Sequence, residues 1–139
     1  MINPPPTVTI RTGTFADIET LVAFIKPFVE DGKLLPRTFD ELDELMAHFF
    51  IAEIDDEIVG CVALEIYSRK LAEIRSLAVS KHHQGLGIGK KLVAACLALA
   101  QEKNILEVMT ITSSEDFFVA CGFDFTLPGE KKALFFQTR

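Results

Sequence analysis

The densest chemical signal in the chain is the run Gln84-Gly85-Leu86-Gly87-Ile88-Gly89-Lys90. It lies between an apolar, strand-like segment, Glu73 to Val79, and a long stretch whose apolar residues recur at helical spacing. The first turn of a helix leaves backbone N–H groups without partners and carries partial positive charge. Glycines let such a turn curl tightly and approach a ligand with no Cβ in the way. A strand, a glycine-rich bend and a helix start therefore make a cradle of amides for a phosphate or diphosphate. Two other phosphate loops fail on spacing. A Walker A loop ends in Lys followed by Ser or Thr, whereas Gly89 is followed by Lys90 and Lys91. A dinucleotide fingerprint needs G-x-G-x-x-G, and here the glycines read G-x-G-x-G. The plain alternative is a tight turn that binds nothing.

Glu73 and Arg37 are the next candidates. Glu73 is an ionisable residue at the head of an apolar strand that runs into the glycine bend, which suits a general base. Strand alternation puts Glu73, Arg75, Leu77 and Val79 on one face. The bland reading is a strand-edge carboxylate paired with Arg75. Arg37 follows Pro36 in a loop between two helical segments. Its guanidinium can fork onto a carboxylate through two parallel hydrogen bonds, so an amino-acid substrate would suit it. A surface arginine beside a helix cap is the competing reading. His82 and His83 are sequence neighbours without further ligands, so they read as solvated loop residues and not as a metal site. Phe117, Phe118, Phe123 and Phe125 read as core.

Composition narrows the classes. A chain of 139 residues with 49% apolar and 24% charged residues fits one globular domain, residues 1–139. The formal net charge is -6 and no basic stripe is present, which argues against nucleic acid as a partner. Cys61, Cys96 and Cys121 have no metal-ligand spacing and read as buried thiols. No signal-peptide pattern opens the chain and no apolar run is long enough for a membrane span, so a cytoplasmic protein without a membrane partner is the default expectation.

The elements that must position these residues follow from periodicity and caps. A strand is expected over Thr7 to Arg11. Thr14, with Asp17 three residues on, caps a helix reaching about Glu30, and Thr38 with Glu41 caps a second whose apolar face is Leu42, Leu45, Met46 and Phe49. Phe50 to Ile54 and Ile58 to Tyr67 form a hairpin across Asp55-Asp56-Glu57. Glu73 to Val79 is a strand, and the helix after the glycines runs to about Lys103. Ile105 to Thr112 reads as a largely buried strand, and Glu115 to Cys121 as a short helix closed by Gly122. Phe123 to Thr126 and Ala133 to Gln137 are the expected last strands. This order is α+β with a mixed sheet, not a regular βαβ array.

Gln84, Gly87 and Gly89 also fill, in order, the signature Gln/Arg-x-x-Gly-x-Gly/Ala of the GNAT superfamily of acetyl-CoA-dependent N-acetyltransferases, which the chain resembles over nearly its whole length. That resemblance implies a mixed, mostly antiparallel sheet of six to seven strands flanked by about four helices. It implies acetyl-CoA as co-substrate and no metal. The amides of Gln84, Gly85, Leu86, Gly87, Ile88, Gly89 and Lys90 would hold the pyrophosphate, and the backbone of Leu77, Ala78 and Val79 would pair with the pantetheine arm. It makes Glu73 the base and the Leu77 N–H the oxyanion donor.

Leu34-Leu35-Pro36-Arg37, Gly60-Cys61-Val62-Ala63-Leu64, Ala72-Glu73-Ile74-Arg75-Ser76-Leu77-Ala78-Val79 and Phe117-Phe118-Val119-Ala120-Cys121-Gly122-Phe123 look like the acetyltransferase domain of N-acetylglutamate synthases, in a stand-alone version. This closer resemblance implies the α-amine of L-glutamate as acceptor, in arginine biosynthesis, with Leu35, Arg37, Arg75, Ser76 and Lys132 around it. A homodimer is compatible with it. Many superfamily members have a Tyr acid where this chain has Phe118. Thr110, Thr112, Ser113 and Ser114 are then the hydroxyl candidates, with solvent as the alternative. Another amine as acceptor, or an acyl-CoA-binding module without turnover, remain as rival readings.

Overall fold

Five strands form one sheet in the order β1-β2-β3-β4-β5 among the residues the computed structural model describes, which are 4, 6–125 and 133–138. They are β1 (Thr9–Thr12), β2 (Phe49–Ile54), β3 (Glu57–Ile66), β4 (Leu71–Val79) and β5 (Glu107–Met109). The first three joins are antiparallel and the last is parallel. The β2–β3 hairpin closes on Asp55 and Asp56, with φ of 50° and 63°. Two consecutive left-handed residues match the right-handed twist of the strands, and Asp tolerates that region better than most side chains.

The helices start where local chemistry says they should. The Thr14 N–H donates to Asp17 Oδ2 at 2.8 Å ahead of α1 (Ile18–Glu30). Thr38 and Glu41 reciprocate side chain to backbone at 3.2 Å to open α2 (Phe39–Leu45). Both are capping boxes, in which two N–H groups of a helix start find partners. Ile18, Leu21 and Ile25 bury one stripe of α1 against the sheet, together with Leu42 and Met46. α3 (Ile88–Glu102) covers the opposite face with Ile88, Leu92, Val93, Cys96 and Ala100, next to Phe118 of α4 (Glu115–Ala120).

β3 is the strand sandwiched by both layers. Cys61 and Ala63 point toward α1 and α2, and Val62 and Leu64 point toward α3. Gly60 lets α3 come this close. A Cβ there would lie 3.0 Å from Leu92 Cδ1 and 3.1 Å from Ile88 Cγ2. The first turn of α3 is thus pressed onto the sheet, beside the end of β4.

Several sequence expectations change. Phe49 begins β2 and does not continue the second helix. β5 spans only Glu107–Met109, and it is not largely buried: Glu107 is exposed and its neighbours are half-buried. The expected strands at Phe123–Thr126 and Ala133–Gln137 do not form in the described residues, so the sheet there has five strands and not six or seven. Thr126 lies outside the described residues. After Gly122, at φ 97°, the Phe123 N–H returns to Phe118 O at 3.0 Å, which commits Phe123 to the helix cap. Leu134, Phe135 and Phe136 have strand-forming side chains but are 90%, 71% and 87% exposed. Such propensity acts only through a neighbouring strand to pack on.

Leu92 carries much of the α3 interface. Leu92→Ala is expected to lower unfolding free energy by about 2–5 kcal/mol in urea titration, with an unchanged m-value. A loss under about 1 kcal/mol would mean that α3 is held mainly by other contacts.

Candidate active site

β4 and β5 pair only at Leu71–Glu107, Ala72–Val108 and Glu73–Met109. Past that point they diverge, and Thr110 Oγ1 donates across to Ile74 O at a long 3.4 Å. A cavity of about 1060 Å³ fills the gap. The second half of β4 forms one wall, and Thr110 to Ser114 with Phe117 form the other. The start of α3 closes one end, and the loop after α1, carrying Leu35 and Arg37, closes the other.

β4 is itself broken by a bulge. Register runs from Cys61–Ala78 to Ala63–Arg75, so three steps along β4 match two along β3. Ser76 takes φ 56°, and neither Ser76 nor Leu77 has a register partner. The extra residue reverses the alternation. Arg75 opposes Ala63 on the α1–α2 side, whereas Leu77 and Val79 pack with the α3 cluster. The expected single face for Glu73, Arg75, Leu77 and Val79 is therefore corrected: the first two and the last two lie on opposite sides. The same bulge takes the Leu77 peptide out of the ladder, into the cavity wall.

The glycine bend has the shape of an anion cradle. Gly85 and Gly87 sit at φ 82° and 76°, and an added Cβ at either would meet nothing within 4 Å. Gly87 caps α3, which is 15 residues long. Gly89 does a different job: a Cβ there would lie 3.1 Å from the Phe117 ring, so its absence lets α4 close the wall. Gln84, Gly85, Gly87, Ile88, Gly89 and Lys90 line the cavity, but Leu86 is exposed and does not. His83 departs from its expected solvated state. It is half-buried on the cavity wall, and its Nδ1 is buried without a hydrogen-bond partner. His82 is exposed, as expected.

The far end carries a charge network. Arg37 has a side chain only 6% exposed, donates from Nε to Ser76 Oγ at 3.0 Å, and lies 3.8 Å from Glu65 and 3.9 Å from Glu41. Arg75 donates to Glu65 Oε2 at 3.1 Å. Tyr67 Oη lies 2.7 Å from Glu65 Oε2 and 2.6 Å from Glu73 Oε1. Burial works to raise the Glu65 carboxyl, but the Tyr67 and Arg75 hydrogen bonds and the charges of Arg75 and Arg37 outweigh it and hold it below its ordinary range. Burial, followed by the Glu73 and Glu65 carboxylates, pushes the Tyr67 hydroxyl well above its usual value.

Glu73, Arg75, Ser76, Leu77, Ala78, Val79, Leu35 and Arg37 thus all border one cavity. Lys132 lies outside the described residues. Tyr67, Glu65 and His83 were not read from the sequence as part of the site. Hairpin counting could have found the first two, because the short turn after Tyr67 pairs Ile66 with Ala72 and so sets Glu65 opposite Glu73. Phe118 is buried between Phe117 and Phe123, edge to face with both, and has no proton to give. Thr110, Thr112, Ser113 and Ser114 do reach the cavity. Among the described residues no cluster of three or more His, Cys, Asp or Glu could hold a metal ion, and no helix is long and apolar enough to cross a membrane.

A splayed sheet, a bulged fourth strand and an amide cradle on the third helix make a cleft suited to an extended ligand that carries a phosphate or diphosphate. The sequence profile of the acetyltransferase (GNAT) family matches residues 15–123, and the chain belongs to that family. An uncharacterized N-acetyltransferase of Chlorobaculum tepidum is 32% identical over 120 residues, 86% of this chain and 77% of the relative. The amino-acid acetyltransferase of Neisseria meningitidis is 33% identical over 118 residues, 84% of this chain and 27% of the relative. Among solved structures, N-acetylglutamate synthase from Neisseria gonorrhoeae, complexed with coenzyme A and N-acetyl-glutamate, aligns with a TM-score of 0.74 at 30% identity, over 84% of this chain and 28% of that one. The chain spans about a quarter of the length of these two larger proteins. It is an acetyl-CoA-dependent N-acetyltransferase.

No cysteine lines the cavity, although the Cys61 thiol donates to Ser76 O at 3.4 Å behind the bulge. Burial pushes the Cys61 and Cys96 thiols up to about 12, while Cys121 is half-buried and not fully buried as expected. Iodoacetamide at about pH 8.5 should alkylate Cys121 first and leave Cys61 and Cys96 until the protein unfolds. Peptide mass mapping over time reads this directly, and equal rates at all three would contradict the burial.

Proposed function

We propose that the chain moves the acetyl group of acetyl-CoA to the α-amine of a small carboxylate-bearing acceptor, with L-glutamate the favoured one. One observation carries the reading: a single cavity is bordered by open helix-start amides, by a buried arginine and by Glu73. The amides from Gln84 to Lys90 suit the pyrophosphate, since an acidic protein can still hold an anion where N–H groups converge. The β5-facing edge of β4 from Arg75 to Val79, past the last pair with β5, suits an added strand, which is how an extended pantetheine arm would lie.

The chemistry then needs three things. Glu73 takes a proton from the acceptor ammonium, directly or through water, so that a neutral amine attacks. The Leu77 N–H, freed by the bulge, stabilises the oxyanion as the carbonyl carbon becomes tetrahedral. The C–N bond forms, the nitrogen gives up its second proton to solvent, the C–S bond breaks, and the thiolate takes a proton from solvent or from a hydroxyl among Thr110 to Ser114. Arg37 and Arg75 supply positive charge for the acceptor carboxylate. The resemblance to amino-acid acetyltransferases supports glutamate in that role.

A second reading, a cationic amine, draws on Glu41, Glu65 and Glu73 near the same two arginines. A panel of amino acids, polyamines and aminoglycosides in a thiol-release assay separates the two. No preference for acidic amino acids would overturn glutamate.

Acetyl-CoA at a hundred times its Kd should stabilise the fold by about 2.7 kcal/mol, seen as a raised melting temperature, and Gly87→Val should abolish most of that shift. Glu73→Gln should lower kcat by about 10²- to 10⁴-fold, while Arg37→Ala should raise the acceptor KM by about 10- to 100-fold with acetyl-CoA KM unchanged. Full turnover in Glu73→Gln would remove the base assignment.

A further inference from the structure

Glu65 and Glu73 stand directly opposite each other on β3 and β4. Like charges in that relation repel. Glu65 is compensated by Arg75 at 3.1 Å and Arg37 at 3.8 Å. Among the described residues, Tyr67 is the only side chain hydrogen-bonded to Glu73. Its hydroxyl touches both carboxylates, at 2.6 and 2.7 Å, yet carries one proton. It cannot donate to both at once. It must serve one or the other, and Arg75 and Arg37 already face Glu65.

We propose that Tyr67 is a positioning residue whose hydroxyl exchanges partners as Glu73 gains and loses the acceptor's proton. With Glu73 ionised, Tyr67 donates to Glu73. When Glu73 takes the amine proton, the acceptor N–H bond breaks, an O–H bond forms on Glu73, and that new O–H donates to Tyr67 Oη. The Tyr67 proton turns to Glu65 Oε2, and the Tyr67 O–H bond itself never breaks. Glu73 therefore keeps one orientation through both protonation states, which a base on a bulged strand beside open water otherwise lacks. Glu73 is half-buried on the cavity wall, so the proton then leaves from Glu73 itself to water and the Tyr67 hydroxyl turns back to it.

The charged groups around Glu73 come from four directions. Arg75 lies on its own strand, Glu65 on β3, and Arg37 with Glu41 at the start of α2. On β5, Glu107 stands two places from Met109, the register partner of Glu73. Among the described residues only Tyr67 bridges Glu73 to another carboxylate.

The inference rests on Glu73 as the base, and the test separates the two. Tyr67→Phe leaves anionic Glu73 without its donor and facing Glu65 bare, so the acid limb of the kcat/KM pH profile should move up by about half a unit or more. Glu65→Gln removes the opposing charge, so the limb should move down. In Tyr67→Phe, kcat should fall several-fold with both KM values little changed. A carboxyl ¹³C titration of glutamate-labelled protein, with Glu73→Gln to assign the resonance, reads the same opposite movements without needing an acceptor. If the Glu73 resonance and the limb stay put in Tyr67→Phe, or move the same way in both variants, the partner exchange is wrong. If the acid limb survives in Glu73→Gln, the base assignment is wrong, whatever the titration shows.

Discussion

The bulge at Ser76 and Leu77 holds the two halves of the site in one frame. β4 contributes three steps where β3 contributes two, and the local reversal falls in the part of β4 past Glu73 that no longer pairs with β5. A serine at φ 56° is a left-handed, non-glycine residue, a conformation that costs on the order of 1–3 kcal/mol and persists only where surroundings fix it. What fixes it here includes Arg37, whose buried Nε donates to Ser76 Oγ. The guanidinium that faces the acceptor end of the cavity thereby also braces the backbone that presents the Leu77 amide. If the proposed roles of Leu77 and Arg37 hold, one hydrogen bond ties the geometry at the carbonyl to recognition of the acceptor.

This tie explains why some of the site was legible in the sequence and some was not. The capping boxes at Thr14 and Thr38 are written within four residues, so they could be read directly. The glycine bend is equally local: Gly85 and Gly87 adopt the positive φ that only glycine takes freely. The bulge is not local. Ser76 carries no glycine signature, and strict alternation put Leu77 on the wrong side of the sheet. β5 misled for a related reason. Ile105 to Thr112 has the composition of a buried strand, but composition cannot say that β4 leaves it after Glu73. The C-terminal run with Phe135 and Phe136 is strand-like in the same non-committal way. Tyr67 was passed over because its role depends on register, which brings Glu65 and Glu73 face to face only after the hairpin has formed.

The electrostatics of the cavity divide along the same line. A protein of net charge -6 would be a poor host for a highly anionic ligand if it relied on side-chain charge. The helix-start cradle avoids this, because its field comes from fixed amide dipoles that no pH change removes. Screening in ordinary salt confines distant surface carboxylates to about 8–10 Å, so the acidic exterior counts for little inside the bend. At the far end of the cavity, where we propose that the acceptor binds, the protein does the opposite. There it uses titratable and charged side chains, three carboxylates against two arginines. Such a cluster responds to the charge of what enters and to the proton it gives up. A rigid dipolar grip is suited to the half of the reaction that is the same in every turnover. A near-balanced ionic network is suited to the half where an ammonium must become an amine.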